Sequence, residues 1–263
     1  MLQKSLIKQS FDRSAFQYDS YAGLQKEIAN ELLAIFFKGD RSINMKPFNI
    51  LDLGCGTGYL LERFIESVNV VNFTQLDLSF NMCKVAAERN GVVSTVNGDI
   101  EQLPFDKETF DMVVSSSTFQ WLEDINIGLK EVLRVLKPRG IIAFATFGYN
   151  TLKELRQIFA LIDNGKHVND FLQGDIIQNI MQNLGFTEFQ VIKRTKIQHF
   201  VNLLEIMRYL RNLGASYKGN SKQQALFSKA KLDKLNSLYK KNFSDIHGLI
   251  TSWEIYYFLA LKP

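Results

Sequence analysis

Leu51 to Tyr59 reads LDLGCGTGY, three glycines at alternate positions (Gly54, Gly56, Gly58) behind an apolar lead-in that includes Phe48 and Ile50. A short buried strand must end here and a helix begin. Glycine turns the backbone tightly and lets a bound ligand touch the main chain. The expected ligand is a nucleotide-type cofactor at the carboxyl edge of a parallel sheet. The dinucleotide fingerprint needs glycines at the first, third and sixth positions. Counted from Gly54, the sixth is Tyr59, and the last glycine falls one place early at Gly58.

The surrounding pattern supports a parallel sheet. Strands are expected at Asn49 to Leu53, Val70 to Leu76, Val92 to Val96, Phe110 to Ser115 and Ile141 to Thr146. Helices alternate with them at Tyr59 to Glu66, Asn81 to Arg89 (capped by Ser79, ended by Gly91) and Asn126 to Leu136. Such alternation means helices on both faces. Further helices are expected at Thr151 to Leu161, Asp175 to Leu184, Leu203 to Leu213 and Gln223 to Tyr239, with strands at Phe186 to Ile197 and Ser252 to Leu261. Residues 4 to 37 read as helical, Leu24, Ile28, Leu32 and Phe36 marking one apolar face, before a linker bracketed by Gly39, Asp40 and Pro47. The fold class is therefore α/β: a Rossmann-like, seven-stranded, mostly parallel sheet with amino- and carboxyl-terminal helical lid elements. The division expected is a lid over 1–45 and a core over 46–263, with a helical insertion at about 201–245.

Asp77 ends the second strand, where a carboxylate can accept from two ribose hydroxyls. Asp99 and Ile100 end the third, where the acid can accept from an adenine amino group and Ile100 can offer its N–H. With the glycine turn, three successive strand ends carry matching chemistry. Here the chain resembles the class I S-adenosylmethionine-dependent methyltransferases, through LDLGCGTG, LDLSFNM, NGDIEQLPF, FDMVVSSSTFQW and LKPRG. The resemblance implies S-adenosylmethionine as methyl donor and no metal. It assigns Gly54, Gly56 and Gly58 to the methionine part, Asp77 to the ribose and Asp99 with Ile100 to the adenine. Leu78 and Met82 flank the adenosine, and Asp52 and Ser115 complete the set. Arg139 stands where a second glycine is usual.

The flanks narrow the resemblance. FDRSAFQYDSYAGLQKEIANELL, SSSTFQWLED, ATFGYNTLKELRQIF and TSWEIYYFLALKP are similar to the malonyl-acyl-carrier-protein O-methyltransferases of biotin synthesis, which esterify the free carboxylate of a malonyl thioester. A carboxylic acid with a pKa of roughly 4 is already ionised at neutral pH, so no general base is required. His167, His199 and His247 fit no triad or metal spacing. Tyr18, in the amino-terminal lid, is a candidate donor to the carboxylate of the substrate or of the methionine moiety. Gln120 follows strand four on the substrate side, Thr146 and Phe147 end strand five beside the same cleft, and Trp121 reads as packing. Arg156 is the preferred cation for the malonyl carboxylate and Arg13 the runner-up.

Charge is distributed unevenly: Gln190 to Pro263 holds 13 Lys/Arg against four acids, although the whole chain is only +4. Arg208, Arg211, Lys218, Lys222, Lys229 and Lys231 lie in the expected insertion, and the reading is a docking surface for an acidic acyl carrier protein. No run approaches the roughly 20 apolar residues of a membrane span. Two cysteines, Cys55 and Cys83, suggest neither a disulfide framework nor a zinc site, so a reduced, cytoplasmic protein is expected. Alternatives are another small-acid or quinone-type methyltransferase and a noncatalytic S-adenosylmethionine-binding module. Nucleic-acid methylation lacks its Asn/Asp-Pro-Pro-aromatic signature, and neither nucleic acid nor membrane is an expected partner.

Overall fold

The structure, a computed structural model, describes residues 4–38, 48–67, 72–91, 93–161, 167–215 and 228–263. The linker at Gly39, Asp40 and Pro47, the starts of the second and third strands at Val70 and Val92, the helix start at Gln223, and Lys218 and Lys222 lie outside those residues.

Five parallel strands form the centre: β1 (Asn49–Leu53), β2 (Asn72–Asp77), β3 (Ser94–Asn97), β4 (Phe110–Ser116) and β5 (Leu136–Phe147). Two long antiparallel strands complete the sheet, β6 (Thr187–Phe200) and β8 (Gly248–Leu261), while the two-residue β7 (Ser244–Asp245) folds back onto the start of β8. The strand order is β3-β2-β1-β4-β5-β8-β6. Order reverses between β1 and β4, so the crevice where ligands bind such sheets opens beyond their carboxyl ends. The expected seven strands are all present, and β7 is an eighth.

Helices α4 (Tyr59–Ser67), α5 (Phe80–Asn90), α6 (Ile125–Val135), α7 (Lys153–Ala160) and α8 (Gly174–Asn183) connect the strands. Ser79 caps α5 as expected, its side chain accepting from the Met82 N–H, and Gly91 leaves the helix at φ 66°. β5 begins five residues before its expected start because Leu136 already pairs with Phe110 and the Arg139 N–H donates to the Lys262 carbonyl. Arg139 takes φ 63° there, a conformation glycine adopts without the 1–2 kcal/mol penalty of an L-residue. That is the physical meaning of the glycine usual at this position.

One face of the sheet buries Ile50, Met112, Val114, Ala143 and Ala145 with Trp253, Ile255 and Tyr257 of β8; the other buries Leu51, Leu53, Val113, Ile142 and Phe144 with Phe258 and Ala260. The period-two split follows from the pleat. The amino terminus is not one helix but α1 (Lys4–Ser14), a 3-10 turn (Ala15–Gln17), α2 (Tyr18–Tyr21) and α3 (Gly23–Lys38). Leu24, Ile28, Leu32 and Phe36 of α3 bury their stripe in the first core, each contributing about 1.5–3 kcal/mol. Between β6 and β8 rise α9 (Leu203–Asn212) and α10 (Lys229–Asn242).

Candidate active site

The carboxyl ends of β1, β2, β3 and β4 open into a cleft of about 700 Å³, part of it open to solvent. Gly54, Gly56, Asp77, Leu78, Met82, Asp99 and Ile100 line it, together with Lys4, Ile7 and Phe11 of α1. All three turn glycines have positive φ, yet they differ in what surrounds them. A Cβ on Gly54 would sit 2.2 Å from Thr118 Cγ2, and one on Gly58 would sit 2.4 Å from Asn90 Nδ2. A Cβ on Gly56 would meet nothing within 4 Å. A side chain at Gly54 or Gly58 would collide with its neighbours, whereas one at Gly56 would project into open space of the cleft.

Asp77 Oδ2 accepts from the Gly56 N–H at 2.9 Å and Oδ1 from the Ser79 N–H at 2.7 Å. Burial pushes its pKa up to about 6 against the pull of those two donors. Asp52 lies in an adjoining chamber with Gly54, Gly56 and Tyr18. Burial, and then the charge of Asp77, push its pKa up to about 8, and its Oδ2 has no hydrogen-bond partner among the described residues. Asp99 Oδ1 accepts from the Glu101 N–H at 2.9 Å, while Oδ2 accepts from Lys4 Nζ at 2.6 Å.

A second chamber adjoins the cleft, and Phe11, Tyr18, Ser117 and Trp121 line both. Gln120, Phe147, Leu152, Val168, Phe171 and Trp253 form its floor and walls, and Leu210, Leu213 and Ala215 reach it from the end of α9. Tyr18 lines the cleft and both chambers, with its phenol pKa pushed well up by burial and then by the nearby charges of Tyr209, Asp77 and Asp19. Its helix is tied down through Asp19, which accepts from Thr57 Oγ1 at 2.7 Å and pairs with Arg89. Burial pushes the Asp19 carboxyl upward, but Thr57 and Arg89 together hold it below its ordinary range.

Four of the expected site residues either lie apart from the cleft or have their polar atoms engaged by the protein. Ser115 is fully buried and donates to the Leu53 carbonyl at 2.7 Å, tying β4 to β1; the next residue, Ser116, lines the cleft with an unpartnered hydroxyl. Arg156 lines none of these chambers, because its guanidinium donates to the Tyr149 and Thr151 carbonyls at 3.0 and 3.3 Å and stacks over the Tyr149 ring. The runner-up Arg13 is exposed and likewise lines none of them. Gln120 does face the second chamber, but both ends of its amide are engaged, by the Ser117 carbonyl at 2.6 Å and Thr146 Oγ1 at 3.0 Å. Trp121 lines both spaces and meets Phe11 edge-on at 5.4 Å. Residues the sequence reading passed over include Lys4, Asp19, Arg89, Asn169 and, within a segment it did quote, Trp253. Among the described residues no cluster of three or more His, Cys, Asp or Glu could hold a metal, and Cys55 and Cys83 are both free and buried.

The donor set suits S-adenosylmethionine. A carboxylate with free lone pairs stands at each of the strand ends β1, β2 and β3. Apolar Leu78, Met82 and Ile100 can flank a purine, and the unpartnered Asp52 oxygen is suited to an ammonium. The fold and this cleft define a class I S-adenosylmethionine-dependent methyltransferase. A methyltransferase-domain family model matches residues 51–144. Phosphoethanolamine N-methyltransferase 2 of Haemonchus contortus, solved in complex with S-adenosyl-L-methionine, superposes with a TM-score of 0.60 at 22% identity, over 96% of this chain and 57% of that one. Malonyl-acyl-carrier-protein O-methyltransferase of Methylococcus capsulatus is 31% identical over 96% of this chain and 92% of its own length. The biotin biosynthesis bifunctional protein BioHC of Teredinibacter turnerae is also 31% identical over 99% of this chain, which spans 47% of that longer protein. The chain belongs to the malonyl-acyl-carrier-protein O-methyltransferase family.

Proposed function

We propose that this enzyme methylates the free carboxylate of a malonyl thioester carried on acyl carrier protein, giving the methyl ester that enters biotin synthesis through pimeloyl intermediates. The observation that carries the reading is that the match to a family member covers 96% of this chain, and so takes in more than the cofactor cleft. The amino-terminal helices and β8 supply Phe11, Tyr18 and Trp253 to the second chamber. That chamber is the acceptor site.

S-adenosylmethionine, when bound, supplies a methyl group on a positively charged sulfur. Asp77 would hold the ribose, Asp99 and Ile100 the adenine, Leu78 and Met82 its faces, and Asp52 with Gly54 and Gly56 the methionine end. Gly58 and Ser115 act indirectly, shaping the turn and fixing β4. Tyr18 stands between donor and acceptor spaces and orients the acceptor. The acceptor arrives ionised, so the protein's tasks are to align it and exclude water. Residues 1–45 and the α9–α10 insertion act as lids over the core. The exposed faces of α9 and α10 present Arg208, Arg211 and Lys229 to the acidic carrier, a soluble partner consistent with a cytoplasmic enzyme. Among the described residues no helix is long and apolar enough to cross a membrane.

The test is one assay. Enzyme and S-adenosylmethionine are offered malonyl-carrier protein, malonyl-coenzyme A and free dicarboxylic acids, and mass spectrometry looks for a methyl ester on each. Ester on the malonyl thioesters, fastest on the carrier-bound one, is expected. Ester on free acids alone would sink the assignment and point to a small-acid enzyme with the same lid.

A further inference from the structure

The acceptor chamber contains polar atoms that the protein itself leaves unsatisfied. Nine buried side-chain polar atoms lack a hydrogen-bond partner among the described residues, and four of them belong to residues that line this one space: Trp253 Nε1, Asn169 Oδ1, Ser117 Oγ and Gln25 Oε1. Two of those residues are almost wholly enclosed, with Trp253 3% and Asn169 4% exposed. A buried donor or acceptor left unmade costs about 1–3 kcal/mol, so such a concentration is retained only where something else satisfies it.

Trp253 cannot relieve its own deficit. The residues on either side are anchored: Glu154 accepts from the Ser252 N–H at 3.0 Å and from Ser252 Oγ at 2.5 Å. The Glu254 N–H donates to Thr151 Oγ1 at 3.1 Å, and its carboxylate is held by Asn150 and Lys193. Phe147 packs against the indole at 5.4 Å between ring centroids. The indole N–H is a donor and nothing else, so it matches a ligand with acceptor oxygens, whereas Asn169 Oδ1 and Gln25 Oε1 are acceptors and match a ligand's donors. Phe147, Leu152, Val168 and Phe171 wall the chamber together with the polar Tyr18, Gln120 and His167.

We propose that Trp253 Nε1–H holds the carboxylate of the methyl acceptor and sets the selectivity for an acid over its ester. This rests on the reading of the chain as a carboxyl methyltransferase. A neutral donor suits the task better than a cation. The carboxylate loses its charge as it becomes an ester, so a guanidinium would favour the starting anion more than the transition state. Arg156, spent on backbone carbonyls, is consistent with this. A dipolar donor aligns the anion while binding its charge less tightly, and it releases the neutral product.

The chain has two tryptophans, so the indole N–H resonances of 15N-labelled full-length protein are readily assigned with Trp121→Phe and Trp253→Phe. Titration with malonyl-pantetheine should move the Trp253 resonance downfield, and the corresponding methyl ester should not. Trp253→Phe should raise KM for the malonyl thioester about 10-fold or more, since a hydrogen bond to a charged group contributes about 1.5–3 kcal/mol. S-adenosylmethionine affinity and the acid-over-ester preference separate this from a folding defect: the first should stay within twofold while the second collapses. An unmoved Trp253 resonance during wild-type turnover, or KM within twofold in Trp253→Phe, overturns the proposal. Failure of the wild type to esterify any malonyl thioester overturns the malonyl reading instead. The same titration with succinate and other dicarboxylic acids then decides whether this donor binds a carboxylate at all.

Discussion

Asp52 and Asp77 lie at the carboxyl ends of neighbouring parallel strands, and burial makes each costly to ionise, Asp77 adding its charge to the cost at Asp52. Both carboxyls titrate above their unfolded value, Asp77 at about 6 and Asp52 at about 8, so between pH 4 and 8 the native state binds more protons than the unfolded one. Stability of the ligand-free protein is then greatest below pH 4 with respect to these groups and falls as pH rises through 6 and 8. Urea midpoints measured across that range should decline for wild type and flatten between pH 6 and 8 in Asp52→Asn, which keeps the shape of the neutral carboxyl. An unchanged slope in the variant would show that Asp52 is not the titrating group. S-adenosylmethionine should reverse part of the decline, since its ammonium favours the ionised acid. At this scale the sequence was uneven. Asp77 and Asp99 could be read because strand ends fix where their carboxylates emerge. Ser115 turns to the Leu53 carbonyl while Ser116 lines the cleft, because a one-residue step in a strand exchanges the two faces. The sequence puts Arg156 on a plausible helix but does not reveal that the Tyr149 and Thr151 carbonyls occupy its guanidinium.

The strands and connecting helices were legible because each has a strong period and a clear stop, as Ser79 and Gly91 show for α5. What could not be read was how the amino-terminal helix breaks. Its apolar pattern continues across residues 15–22, whereas the structure turns the chain there so that Phe11 and Tyr18 face the cleft. The break is held by long-range contacts: Asp12 accepts from Ser79 Oγ at 2.6 Å and from the Asn81 N–H at 3.1 Å. Lys4 completes the closure, with Nζ 2.6 Å from Asp99 and 2.5 Å from Glu101. Burial pushes the Lys4 pKa down, but its bonds to those two acids more than compensate, and it remains a cation. The helix α1 is therefore latched across the side of the cleft where Asp99 and Glu101 stand. Partly exposed ion pairs contribute about 0.2–1 kcal/mol each and are screened by salt. Lys4→Ala should speed S-adenosylmethionine release about two- to fivefold in stopped-flow displacement, and added salt should accelerate wild type more than the variant. A release rate indifferent to both changes would mean that α1 does not gate the cleft.

On the scale of the molecule, α9 links two tasks through its two faces. Leu203, Ile206 and Leu210 are buried, with Leu210 and the following Leu213 reaching the acceptor chamber, while Arg208 and Arg211 on the opposite side are exposed. Gly214, just beyond the helix, lies against Ser14 and Phe11 of α1, so the wall of the second chamber touches the helix that lines the cleft. A carrier docking on the basic face would sit above the chamber its acyl group must enter, and the polarity of the chain, basic only in its last third, would orient it. Rim charges act mainly on encounter rate and salt dependence. Charge reversal at Arg208, Arg211 and Lys229 together should raise KM for malonyl-carrier protein about 5- to 50-fold at low salt, with little change for malonyl-pantetheine, which has no acidic protein to steer. S-adenosylmethionine affinity should stay the same, because none of the three lines the donor cleft. Equal losses for carrier-bound and pantetheine substrates would place the defect in the chamber wall rather than the docking face. A matching loss of cofactor affinity would show that the insertion and the amino-terminal lid move as one body.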